Sequence, residues 1–401
     1  MARKRIVVVG TSFAGYTGAL ELHSLLGSAH DITVVANTHE FVFIPSLIWY
    51  PFGLREKQDI SFDVRPIYAE RGIAFVEASV TGFDLERQLV QTATAGDLPY
   101  DYLLIATGPK VDFDSVPGLG PHTGYSYSIC NVEHAEETRR AWERFVTDPG
   151  PIVIGAAQGA GCFGAAYEFI FNVRHQLKKL HLLDKAPLTY VTAEPFLGHF
   201  GIGGFGNARW MSEKFFQMQG INWRTSSTVR EILPDGVVLG SGEVLPSKFT
   251  MIIPRFLGID AIRNTPGLGN ASGFIETGDD YRHPVYPNVY AAGVAVHVPP
   301  VGETEVACGV PKTGYPSEVM AKTAAHNIAA DIRGDATHRT MPFSLIHAYC
   351  IMDTGDMGMM ILGDHMLGPR HLEFIIPGPQ AHWAKLAFEK YFLYSRKHGH
   401  V

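Results

Sequence analysis

The chain has little in it that would hold nucleic acid, cross a bilayer or bind a structural metal through paired thiols. Lys and Arg number 33 against 40 Asp and Glu, a formal net charge of −7, whereas a phosphate backbone selects for a basic surface. No run of about 18 apolar residues occurs, so no segment is expected to span a membrane. The start, MARKRIVVVG, carries a basic cluster, but its apolar run is only a strand long and leads into glycine, so no cleavable signal is expected. The four cysteines, Cys130, Cys162, Cys308 and Cys350, are scattered with no CxxC pair, which excludes a c-type haem attachment and zinc-ribbon spacing. Hydrophobic residues make up 46% and charged residues 18%, a balance that argues against disorder. At 401 residues two or three folded units are expected.

What is present begins with a βαβ unit. The strand RIVVVG, the turn GTSFAG, the helical stretch YTGALELHSLLG and the strand DITVVAN follow one another over residues 5–37. That order builds a dinucleotide site: Gly10 makes the tight turn, Gly15 lets helix and strand approach, and the helix N-terminus faces a pyrophosphate. Ser12 replaces the middle glycine, and Asn37 stands where an acid usually holds the ribose. A second strand-turn-helix-strand run, GPIVIGAAQGAGCFGAAYEFIFNV with LTYVTAEP, spans 150–173 and 188–195. Glu194 closes it in the position of a ribose-binding acid, and Cys162 falls at the start of its helix, where phosphates would lie. A helix N-terminus carries about half a positive charge and favours a thiolate, while a free cysteine is as often a small buried apolar residue.

YDYLLIATGPKV, ending on Thr107 and Gly108, and YPNVYAAGVAV, ending on Gly293 and Val294, resemble the segments that return the chain to the FAD domain in two-dinucleotide-domain flavoproteins. The resemblance implies an α/β fold of two interleaved Rossmann-like domains, as in glutathione reductase, with a short C-terminal amphipathic helical segment. It implies a first FAD-domain part over 1–110, a second Rossmann-like domain over 111–280, the return of the FAD domain over 281–332, and a C-terminal region over 333–401. FAD is expected against Gly10, Ser12, Gly15, Asn37, Val80, Thr107, Gly108, Gly293 and Val294. The helix entered through PKTGY brings Lys312 and Gly314 to the pyrimidine edge of the flavin, where Lys312 adds positive charge.

SICNVEHA, PIVIGAAQGAGCFGAAYEF, EPFLGHFGIGG, AAGVAV, PKTGY, the Cys350 stretch and HWAKLAFEKYF together resemble the bacterial sulfide:quinone oxidoreductases from residue 5 to about 394. The resemblance implies that Cys130, Cys162 and Cys350 serve sulfide oxidation, with Cys162 and Cys350 at opposite ends of a sulfur bridge near the flavin. It allots proton handling to His134 and His199, although the sequence alone favours a solvated helix residue at His134. The implied reaction opens the bridge with sulfide, passes electrons through attack of Cys350 on flavin C4a, and delivers polysulfide or zero-valent sulfur and reduced ubiquinone or menaquinone. Cys308 matches no family cysteine and is taken as structural. The tail reads as a helix with Trp383, Leu386, Ala387, Tyr391 and Tyr394 on one face and Lys385, Arg396 and Lys397 supplying charge. Most such helices cover a core. The resemblance makes this one a membrane-surface helix, with Phe388 and Tyr391 touching quinone, on a protein peripheral to the bacterial or archaeal inner membrane and compatible with a homo-oligomer. Relatives usually continue into a second amphipathic segment, so a weaker hold on the membrane is expected.

Two rivals share the architecture, a type II NADH:quinone oxidoreductase using Glu194 and the flavoprotein subunit of a flavocytochrome sulfide dehydrogenase. Disulfide reductases of the glutathione and CoA-disulfide types place cysteine just after the first βαβ unit, where FVFIPSLIWY has none.

Overall fold

The computed structural model describes residues 2–401. Strand β1 (Arg5–Val9), helix α1 (Phe13–Leu26) and strand β2 (Asp31–Ala36) form the first unit, followed by β3 (Ala74–Glu77) and β4 (Tyr102–Ile105). Next come α2 (Val132–Phe145), β5 (Ile152–Ala156), α3 (Phe163–Lys179), β6 (Leu188–Thr192), β7 (Ile221–Arg224) and β8 (Phe249–Ile253). Strand β9 (Val289–Ala291) and helix α4 (Gly314–Arg333) precede β10 (Ala348–Asp353), β11 (Gly358–Gly363), β12 (Glu373–Gly378) and helix α5 (Pro379–Lys397).

The order β9-β4-β1-β2-β3 makes one parallel sheet. Its strands are continuous apolar runs because helices and loops cover both faces, and Ile6, Val8, Val34, Leu104 and Tyr290 are wholly buried. Val9 pairs with Val35 and Ile105, and Ile105 with Ala291. The glycine turns after β1, β4 and β9 therefore open along one edge, the place where open α/β sheets bind ligands. A second parallel sheet, β7-β6-β5-β8, aligns Ala156, Thr192 and Ile253 in the same way. Gly155 is needed there because a Cβ would stand 1.8 Å from the Val191 carbonyl oxygen.

Beyond the expected helical tail, residues 348–378 form an antiparallel sheet, β10-β11-β12. Period-2 alternation is weak here because the sheet is covered on one side by α3 and α5 and carries large apolar residues on both. Helix α5 also departs from its expected orientation. Lys385, Glu389 and Arg396 are buried, while Trp383, Phe388, Tyr391 and Tyr394 are exposed. Lys385 pairs with Glu168 on α3, Glu389 accepts from Arg55 Nε at 2.8 Å and from Ser46, and Arg396 meets Glu318 on α4 at 2.7 Å. The basic residues read as flanking charge thus point inward, because each finds an acid there; only Lys397 remains exposed.

Candidate functional site

The first recess is built by glycines. Gly10 adopts φ +108, and a Cβ on it would meet the Ala106 oxygen at 2.3 Å; one on Gly15 would meet the Gly10 oxygen at 2.1 Å. Helix α1 is thereby pulled onto the end of β1, next to Thr107 and Gly108. Gly293 fits between Ala14 and Ser317, and Gly314 lies 2.7 Å, by its missing Cβ, from the Phe13 ring. The starts of α1 and α4 are thus neighbours, and neither has an acid in its first turn. Two unneutralised N-termini beside a side-chain-free turn suit a diphosphate, so the residues fit FAD.

Asn37 is exposed just past β2, and Val80 is half-buried beside it, since the Ala78 N–H donates to the Ala36 carbonyl at 2.8 Å. Ser12 is the exposed N-cap residue of α1. Lys312 donates to the Val294 and Val296 carbonyls at 2.9 and 2.8 Å and lies over the Phe274 ring at 3.8 Å. Burial pulls its pKa down to about 7. Burial thus works against the charge expected of it, and it is no surface lysine.

The second glycine loop is filled by the chain itself. The Gly159 N–H donates to the Ala307 carbonyl at 2.6 Å, and the Gly309 N–H to the Ala160 carbonyl at 2.8 Å. A Cβ on Gly309 would come within 2.8 Å of the Gly159 oxygen, and one on Gly201 within 2.2 Å of the Gly309 oxygen. Segment 307–310 is wedged between the turn and the 198–206 loop, so the Gly159 N–H of the turn is spent on the Ala307 carbonyl. Glu194 is fully buried and accepts from Tyr167 at 3.0 Å, Thr192 at 2.8 Å and the Phe200 N–H at 2.7 Å. Desolvation raises its pKa to about 7. It reaches no ribose, which corrects the reading of Glu194 as a nucleotide ligand.

Cys162 stands beside this wall, with Cys130 and Cys350 in its neighbourhood. Cys162 is the N-cap residue of α3, and it lies close enough to Cys130 and Cys350 for its charge to act on both. All three are free. Cys350 is open to solvent, yet enough protein surrounds it that desolvation dominates its acidity. Burial pushes Cys130 and Cys350 up to about 12 and raises Cys162 as well, in spite of the Ala165 N–H at the helix start. The expected helix-end thiolate is thus outweighed by loss of water. Cys308 is buried and held at about 11 by desolvation.

The two histidines share no hydrogen bond with a thiol. His134 is buried, which corrects its reading as a solvated helix residue; its ring packs on Phe113 at 5.2 Å and His122 at 5.5 Å, and Nδ1 has no partner. His199 accepts the Gly201 N–H on Nδ1 at 3.2 Å, which leaves its proton on Nε2. Burial lowers both pKa values.

Sequence reasoning missed a buried ionic chain under the thiols. Lys385 pairs with Glu168, which accepts the Asp353 N–H at 3.1 Å. Asp353 accepts from Trp49 Nε1 at 2.8 Å and meets His382 Nδ1 at 2.6 Å. Lys385 lowers and Glu168 raises the pKa of both Cys162 and Cys350. The members lie in four distant segments, so no spacing joins them. Phe388, half out in solvent, meets Phe43 edge to face at 6.0 Å, and Phe43 lies tilted against Phe13 at 6.2 Å, so Phe43 stands between it and the Phe13 ring of the first recess. Tyr391 is exposed with no aromatic neighbour in that ladder.

Residues 4–309 match the family model described as pyridine nucleotide-disulphide oxidoreductase. The chain is 35% identical to the sulfide-quinone reductase of Aquifex aeolicus, over 99% of this chain and 92% of that protein. The X-ray structure of the sulfide:quinone oxidoreductase of that bacterium superposes with a TM-score of 0.94, covering 99% of this chain and 92% of the other. The Plasmodium falciparum NDH2 in complex with NADH is 12% identical and gives a TM-score of 0.73, over 96% of this chain and 94% of the other, a likeness of fold alone.

Proposed function

Because the chain belongs to the pyridine nucleotide-disulphide oxidoreductases and, within them, to the sulfide:quinone oxidoreductases, we propose that it oxidises sulfide at Cys162 and Cys350 and passes the electrons through FAD to a quinone. What supports this reading is that Cys130 and Cys350, both free, lie within electrostatic reach of free Cys162, next to a glycine loop packed by its own chain. FAD, when bound, accepts two electrons from sulfur and yields them to the quinone. Gly10, Gly15 and the start of α1 would hold its diphosphate, and Gly314 and Lys312 at the start of α4 would lie toward the end of the flavin that gains charge on reduction.

The two thiols would first form a bridge with release of two protons, their two electrons going to the quinone by way of FAD. HS⁻ then attacks the Cys162 sulfur: a new S–S bond forms, the bridge breaks, and a persulfide on Cys162 and a thiolate on Cys350 result. Lys385 stabilises that thiolate, since its charge lowers both thiol pKa values. Loss of two electrons and one proton rejoins the two ends through one more sulfur atom. Repetition lengthens the chain toward polysulfide, and Cys130 takes part in its release. His382, paired with Asp353, and His134, whose Nδ1 is free, are the candidates for taking up the released proton.

The exposed Trp383, Phe388, Tyr391 and Tyr394, with Leu372, Phe374 and Ile376 on and beside β12, support a surface that lies in the headgroup region of a membrane. No helix among the described residues is long and apolar enough to cross a bilayer. Phe388 is the residue that quinone would meet on its way to the flavin, with Tyr391 beside it on the outer face. Anaerobic mixing tests the reading: sulfide is expected to bleach the flavin band and NADH to leave it unchanged, and bleaching by NADH alone would overturn it.

A further inference from the structure

The loop between β11 and β12 gathers donors that sulfide oxidation does not call on. Asp364, His365 and His371 each offer one ligand atom, and these atoms lie within 4.8 Å of one another. His371 Nδ1 stands 3.3 Å from Asp364 Oδ2. Two ligands held at 2.0–2.1 Å on one tetrahedral zinc ion are about 3.3 Å apart, so this edge needs no rearrangement. His365 Nδ1 lies 4.0 Å from Asp364 Oδ2 and 3.2 Å from the Pro369 carbonyl, which places the ring at the edge of the cluster.

The loop is already shaped for this. Asp364 accepts the His371 N–H at 3.2 and 3.1 Å on its two carboxylate oxygens, and its own N–H donates to the Leu372 carbonyl at 3.2 Å, closing the neck. His347 Nδ1 donates to the Asp364 carbonyl at 2.8 Å. Arg370 ties down the centre by donating to the His365 carbonyl at 2.7 Å and to the Gly204 carbonyl at 3.0 Å.

We propose that Asp364, His365 and His371 form a binding site for a first-row divalent cation, best suited to zinc, with the remaining coordination position left to water. Two imidazoles and a carboxylate select zinc, copper, nickel or iron over magnesium and calcium. The metal closes the loop whose Arg370 covers Phe205 at 4.7 Å and binds Gly204. That 198–206 segment packs through Gly201 on Phe163, the neighbour of Cys162. Metal loading therefore stiffens the wall beside the thiols.

The test is calorimetric titration of the metal-stripped holoenzyme with zinc chloride, alongside thermal unfolding. One saturable site per chain is expected, with a Tm raised by zinc. Asp364→Asn is expected to weaken binding by about tenfold or more, and H365A/H371A to abolish both effects. H398A/H400A, beyond the C-terminal end of α5 and outside the cluster, is expected to retain them. His371 is mostly exposed, so H371A alone leaves the fold intact and serves if the double variant does not fold. Unchanged zinc affinity in H371A, or no saturable binding in the parent, would overturn the proposal.

Discussion

At Glu194 the physics of one carboxyl group explains both what was lost and what remains. Its ordinary pKa of 4.5 is raised to about 7 by burial, so the native state holds its proton more tightly than the unfolded chain. The stabilising contribution is then fully present below about pH 4.5 and is lost as pH rises through 7, falling by about 1.4 kcal/mol for each pH unit crossed between those two values. Glu194→Gln fixes the neutral form. Its unfolding free energy, measured by urea melts from pH 4.5 to 8, is expected to be flatter than the parent's and to exceed it above pH 7. Parallel profiles would mean that the carboxyl titrates alike in both states. The same loss of water sets the thiols: a helix start at Cys162 is not enough to keep it ionised, and Lys385 supplies the opposing charge where the bond-breaking thiolate must form.

Helix α5 is the element on which the ionic and the aromatic halves of the site converge. Its apolar spacing reads equally as a core stripe or a membrane face. Its charges decide between them, since Lys385, Glu389 and Arg396 each pair inward and turn the aromatic rings out. Breaking one buried pair leaves an uncompensated charge, at a cost of about 3–5 kcal/mol. Lys385→Met is therefore expected to lower the urea midpoint substantially, and Lys385→Met with Glu168→Gln to lower it less. A loss within a few tenths of a kcal/mol for the single change would show that the pair does not hold the helix. The outward face makes its own prediction, because each large ring taken from water is worth about 1.5–3 kcal/mol. Trp383→Ser with Tyr391→Ser is expected to release the protein from lipid vesicles in flotation while FAD content is unchanged. Equal flotation of parent and variant would remove this face from the membrane.

Across the whole molecule, what was legible in the sequence was what period and glycine spacing encode. The two parallel sheets follow from apolar strands, of which β1, β4, β5 and β9 run into glycine-bearing turns, and the FAD recess from Gly10, Gly15, Gly293 and Gly314. The antiparallel sheet at 348–378 escaped notice because both its faces carry large apolar side chains. The chain from Lys385 through Glu168 and Asp353 to His382 was illegible, since only the folded state brings its members together. The filling of the second glycine loop by residues 307–310 was invisible for the same reason, although Cys162 in that loop was its one sequence signal. Resemblance, not spacing, singled out Cys130 and Cys350, and the structure sets both near Cys162. The central claim is that electrons leave sulfur through Cys350, and anaerobic stopped-flow mixing of the Cys350→Ala holoenzyme with sulfide tests it most directly. The flavin band is expected to persist while the parent bleaches; rapid bleaching of the variant, with FAD still bound, would contradict the account.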